Sequence, residues 1–195
     1  MDIHIHLTDG KVFIFRQENQ KTVEAILKSI HSKKLFSQPQ IIIQGGSSTS
    51  GFACSRVELI EFITEIDPGW TFSQALKPLA LISEQEHEMR IALEKLHNRT
   101  EKKVMSVKLG TPSKVLLSLF MRSGKKLFGE TTMVLKGLMI RLNSQYALGS
   151  EAIYGKRNKF GHIFANTQNI IQWGLNCGLP NTERYVWQAN RLISP

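Results

Sequence analysis

Cysteine is scarce: the 195 residues include two, Cys54 and Cys177, far apart and in no metal-like or redox-like spacing. That excludes a disulfide framework and makes a reducing compartment the default. Long apolar runs are lacking too. The most apolar stretch, Val115 to Met121, is interrupted by Ser118 and is far shorter than the ~20 residues a spanning helix needs. No transmembrane segment is therefore expected. The first residues, Met1-Asp2-Ile3-His4-Ile5-His6, show no basic stretch leading into an apolar core. Without such a signal the Asn98-Arg99-Thr100 glycosylation pattern carries no weight, and a cytoplasmic protein is expected. Disorder is excluded by ordinary globular composition, 42% apolar and 21% charged.

What the chain does have is positive charge, unevenly placed. The net charge is +9, yet residues 1–67 carry seven Lys/Arg against eight Asp/Glu. Between Arg99 and Lys159, thirteen basic residues face three acidic ones, Glu101, Glu130 and Glu151. Asp67-Pro68-Gly69 is a turn or linker signal at the point where the charge balance changes. It divides the chain into an expected small module at 1–67 and a larger one at 68–195.

The first module reads as a hairpin, a helix and two further strands. Ile3, Ile5 and Leu7 alternate with His4, His6 and Thr8, and Asp9-Gly10 turns the chain into Val12 to Phe15. A two-residue turn pairs Leu7 with Val12, leaving His4, His6, Phe13 and Phe15 on one face as an expected interaction surface. Thr22 is the expected cap of a helix carrying Val23, Ile26, Leu27 and Ile30. Ile41-Ile42-Ile43 reads as a buried strand, and Phe52 and Cys54 open another. Val57 to Ile63 fits strand or helix, with Ser55 and Glu58 placed as a capping box. The arrangement is roughly ββαββ.

The second module reads as mostly helical. A long amphipathic helix is expected from Ser73 towards Val107 through Leu79, Ile82, Met89, Leu93 and Leu96, and offers a surface for self-association. Thr111-Pro112 resembles a cap and first-turn proline for a helix to Arg122. Residues 130–142 lean to helix, 143–161 to loop, and two further helices are expected at 163–176 and 182–192. The fold class is then α+β: a small antiparallel sheet with one packed helix, followed by a mostly α-helical module.

Several patterns touch on chemistry. Asp2 to Gly10 resembles the first metal motif of the polymerase-and-histidinol-phosphatase metallohydrolases, where two histidines alternate on a strand end and Asp-Gly follows. The resemblance covers nine residues and implies a metal-dependent hydrolase. Two imidazoles leave a divalent ion half-coordinated, however, and no further pair stands ready in the sequence to complete the set. The histidines are therefore assigned to a hairpin face, with no metal or cofactor expected. Gly46 to Gly51 has the glycine spacing of a phosphate-binding loop, but Phe52-Ala53 replaces its lysine and hydroxyl. Glu84-x-x-His87 and Glu94-x-x-His97 have di-iron ligand spacing but fall on one helix, ~15 Å apart. Cys54 has no identifiable base and reads as a small core residue.

The basic segment carries the functional expectation. Arg122, Lys125 and Lys126 cluster at one junction. Lys156, Arg157 and Lys159 interleave with Tyr154 and Phe160 at another. Such cations bind phosphates, and the rings could stack on bases. The sequence thus favours a non-enzymatic protein that engages nucleic acid or another acidic partner. A protein-interaction module is the alternative, and a hydrolase of unrecognised class ranks behind both.

Overall fold

The computed structural model describes residues 1–30, 35–45, 48–70, 79–100, 112–134, 152–176 and 186–188. Strands dominate. β1 (Asp2–Leu7) and β2 (Val12–Arg16) form the first hairpin, followed by α1 (Gln20–Ser29), β3 (Gln40–Gly45), β4 (Ser48–Ala53) and β5 (Val57–Ile63). Next come β6 (Leu79–Ile82), α2 (Glu84–Thr100), β7 (Pro112–Met121), β8 (Lys126–Val134), β9 (Ile153–Lys156), β10 (Gly161–Ala165), β11 (Ile170–Asn176) and β12 (Val186–Gln188). One ten-stranded sheet runs β12-β11-β7-β8-β6-β9-β10-β5-β1-β2, and β3–β4 stand apart as a two-stranded sheet. Strands from both sides of residue 67 share the large sheet, because β5 pairs with β10 as well as β1.

The expected mostly helical module is therefore overturned. Of its proposed helices, the described residues bear out the one centred on α2, and that begins later than expected because Leu79 and Ile82 belong to β6. Ser83 starts α2, its Oγ accepting from the Glu86 N–H at 3.1 Å. The segment read as a helix after Thr111-Pro112 is β7, and the one expected at 163–176 is β10 and β11. Residues 130–134, read as helix, lie in β8, and 153–156, read as loop, form β9. Val186–Gln188 is strand within the helix expected at 182–192, while residues 135–142 lie outside the described ones. β7 is buried on both faces from Val115 to Leu119, so its apolar residues run without a gap and show no strand alternation.

Two cores lie on opposite sides of the sheet. On one, Leu59, Leu79, Val115, Leu117, Leu119, Met121, Ile163 and Trp173 pack together, and the sheet curls around them so that the turn between β7 and β8 reaches β5 and β1 through Ser123–Glu58 and Lys125–His6. On the other, Ile3, Ile5, Ile60, Phe62, Tyr154 and Phe164 meet Phe52 of β4, with Ile26 and Ile30 against them. α1 is capped by Asn19, whose side chain accepts from the Thr22 N–H, three residues before the expected cap. β3 is less buried than expected, since Ile42 is 61% exposed.

The first hairpin differs from the sequence expectation by one residue. Leu7 N–H donates to Lys11 O and Gly10 N–H to Leu7 O, so Thr8-Asp9-Gly10 is a three-residue loop with Gly10 at φ 84°. Consequently His6 pairs with Val12 and Ile5 with Phe13. A one-residue slip exchanges the faces of a strand. Phe13 and Phe15 therefore lie on the Ile3/Ile5 side, against Phe52, and do not share a face with His4 and His6.

Candidate functional site

The pairing of β1 with β5 sets His4 opposite Glu61 and His6 opposite Leu59. All three polar side chains consequently project from the side of the sheet that carries Leu59. His4 Nδ1 lies 3.8 Å and His6 Nε2 3.9 Å from the same oxygen, Glu61 Oε2. Glu61 is buried. The facing His6 ring, helped by Arg157 and His4, holds its carboxyl below the usual range, against the burial that would raise it.

Two hairpin turns bring cations to this cluster. Arg157, at the end of β9, places Nη1 3.2 Å from Glu61 Oε1. Lys125, from the β7–β8 turn, places Nζ 3.0 Å from His6 Nδ1. That turn repeats the first hairpin: Met121 N–H donates to Lys125 O, Gly124 N–H donates to Met121 O, and Gly124 stands at φ 89°. Burial lowers the Lys125 ammonium pKa, and Arg157 nearby lowers it further, although Glu61 and Glu58 oppose the shift.

Glu58 holds the turn in place. Between Leu7↔Val57 and His6↔Leu59 the pairing skips Glu58, a bulge that redirects its side chain. The buried carboxylate accepts from the Ser123 N–H at 2.5 Å and from the Ser123 hydroxyl at 2.6 Å. The expected capping role of Glu58 towards Ser55 gives way to this long-range clamp.

Beside the cluster opens a cleft of about 650 Å³, lined by Ser83 and Glu84 at the start of α2, by Gly124, Lys125 and Lys126, and by Arg157. Lys126 Nζ bonds Glu84 Oε1 at 2.6 Å across its rim. α2 is anchored to β8 by the Arg90–Glu130 ion pair and by His87, whose ring lies 4.6 Å from that of Phe128. His87 is buried, so the Glu84-x-x-His87 pattern does not form one solvated face.

Of the cations expected from sequence, Lys125, Lys126 and Arg157 line this one cleft. Arg122 is exposed on the β7–β8 turn, and Lys156 is half-buried at the end of β9. Lys159 sits 4.6 Å over the Phe160 ring, which is 36% exposed. Tyr154 is a correction: it is buried and joined to His162 Nδ1 by a 2.7 Å hydrogen bond, so it cannot stack on a base. Glu61, Glu58 and Ser123 escaped sequence reasoning. The usable signal was a pair of acids within a run that fits a buried strand. Cys54 is buried, which pushes its thiol pKa up, in keeping with a core residue.

The Tyr154–His162 pair sets a pH window for stability. Burial pushes the Tyr154 phenol up, so its contribution is complete below the unfolded value near ~10 and is lost as pH rises beyond it. Burial, with Lys156, pushes the His162 imidazole down. Its contribution is present above ~6.5 and is lost as pH falls below that value. Denaturant melts across pH should show loss on both sides, and Tyr154→Phe should remove the phenol's alkaline contribution while leaving an acid limb. An unchanged alkaline limb in that variant would count against the assignment.

A scan of family models and searches of curated proteins and solved structures find no match to this chain. The fold and site define a curled mixed-sheet protein whose polar cluster adjoins a cationic cleft. No described helix is long and apolar enough to cross a membrane.

Proposed function

We propose that the protein binds a phosphate-bearing polyanion in the cleft where the β7–β8 and β9–β10 turns meet. The observation that carries this reading is the convergence of Lys125, Lys126 and Arg157, from turns some thirty residues apart in sequence, on one concavity. The start of the 17-residue helix α2 also lines it, and the dipole there favours anions. An arriving phosphate would relieve the repulsion between Lys125 and Arg157. It would compete with Glu84 for Lys126, in a half-exposed pair worth at most about 1 kcal/mol. Because Tyr154 is buried, the reading predicts phosphate contact without stacking on that ring.

Binding of inorganic polyphosphate and of single- and double-stranded oligonucleotides, titrated with salt, tests it. Three neutralised phosphates give a log–log slope of about −2.7 on duplex. The Lys126→Gln/Arg157→Gln double variant should bind at least about tenfold more weakly, a loss of ~1.4 kcal/mol. Absence of binding to every probe at ~50 mM salt, where electrostatic attraction is strong, would refute the proposal.

A second reading, contact with another protein, is favoured by β2. It is the last strand of the large sheet, and Val12 and Ile14 on it are 45% and 62% exposed. An apolar edge strand is a template for strand addition. Ile14→Lys should abolish such pairing, measured by co-sedimentation with a bound partner, and leave polyphosphate binding unchanged.

A further inference from the structure

We propose that His4, His6 and Glu61 form a binding site for a first-row divalent transition metal of the zinc class. Among the described residues their donor atoms make a group of three, all within 4.8 Å of one another. An ion held at ~2.0–2.2 Å from each donor in tetrahedral geometry needs donors about 3.4 Å apart. The 3.8 and 3.9 Å separations at Glu61 Oε2 therefore close by roughly half an ångström and the His4–His6 separation, within 4.8 Å, by up to about 1.4 Å, which rotation of the partly exposed His4 ring supplies.

Three features point to a ligand at this place. His6 Nε2 is buried and has no hydrogen-bond partner among the described residues, and a buried unpaired ring nitrogen calls for one. It faces the same carboxylate oxygen as His4 Nδ1. Arg157 engages the other oxygen, Oε1, fixing the carboxylate while leaving Oε2 to the centre of the group, as outer contacts of metal ligands do. Two imidazoles and one carboxylate suit zinc, cobalt or ferrous iron better than the oxygen-seeking calcium or magnesium. With three protein donors, a further coordination position is left for water or an incoming group.

Lys125 works against the ion. An ammonium donating to His6 Nδ1 leaves the ring proton on Nε2, where it blocks ligation. Metal binding thus requires the proton on Nδ1 and the lysine turned away from it, which its flexible stem and the adjoining cleft permit. The inference is independent of the polyanion reading, since its donors lie outside that cleft's lining.

The test uses the full chain, stripped with chelator and titrated with Zn²⁺ by calorimetry and with Co²⁺ by visible absorption. One equivalent is expected. His4→Ala and Glu61→Gln should each weaken binding at least about tenfold, and Lys125→Met should tighten it. His4 is partly exposed, so its variant should fold and can decide the matter alone. No stoichiometric binding of either ion at ~100 μM, an affinity already weak beside those of zinc sites, would overturn the proposal. So would equal affinity in the His4→Ala variant, which would place the ion elsewhere.

Discussion

Glu58→Ala is expected to destabilise the protein by about 3 kcal/mol and to impair the cationic cleft at the same time. The deleted carboxylate is buried and receives two hydrogen bonds from one residue, the N–H and the hydroxyl of Ser123. Hydrogen bonds to a charged group contribute ~1.5–3 kcal/mol each, and the donors left behind lose their partner within a partly buried turn. No local bond replaces them, because Glu58 and Ser123 are 65 residues apart. The turn also presents Lys125 and Lys126, so loosening it should weaken polyphosphate binding, although removal of the negative charge alone would favour an anion. Denaturant melts and binding titrations on the same variant separate the two effects. Unchanged stability would show that the clamp is dispensable; Glu58→Gln, which keeps one acceptor, should fall between.

The second large effect is expected at Asn166→Ala, again roughly 3 kcal/mol. Asn166 is buried where β10 gives way to a 3-10 turn before β11. Its amide donates to Cys54 O at 3.0 Å and Val57 O at 2.9 Å, and its Oδ1 accepts from the Gln168 N–H at 3.1 Å. Alanine removes three hydrogen bonds at once: each carbonyl is left with a single donor, Val57 N–H for Cys54 O and Asn169 for Val57 O, and the Gln168 N–H loses its acceptor. Asn169 donates to Val57 O as well, so the two substitutions should be non-additive in a double-mutant cycle. A fully additive cycle would mean that the two amides act separately.

The sequence made some of this legible and concealed the rest for physical reasons. The first hairpin and α1 could be read because each pairs a regular period with a local signal, Asp9-Gly10 and a capping residue, although the cap is Asn19 and not the expected Thr22. Hairpin register could not, because loops of two and three residues both fit Asp-Gly. β7 was concealed by its double burial: with Leu116 and Leu117 both buried although they lie on opposite faces of the strand, strand and helix periods look alike. Pro112 misled further, since proline starts a strand as readily as a helix. The helix expected to end at Arg122 is followed by Gly124, which is the left-handed residue of a strand-to-strand turn. Residues 163–176 read as helix, whereas Asn166 and Asn169 within them are buried and their side chains bond backbone carbonyls between strands. At the site, Lys125, Lys126 and Arg157 were visible as charge. Glu61 was not, because its relation to His4 and His6 exists through pairing across more than fifty residues.

The strand order also has a temporal side. During synthesis the amino-terminal portion leaves the ribosome first, and β1, β2 and β5 are all available once about seventy residues have emerged. His4, His6 and Glu61 are then all present while β5 still lacks its other neighbour, β10. β10 and Arg157 arrive almost a hundred residues later. The nascent chain thus passes through an interval in which all three donor residues have been made and the cations that finally flank them have not.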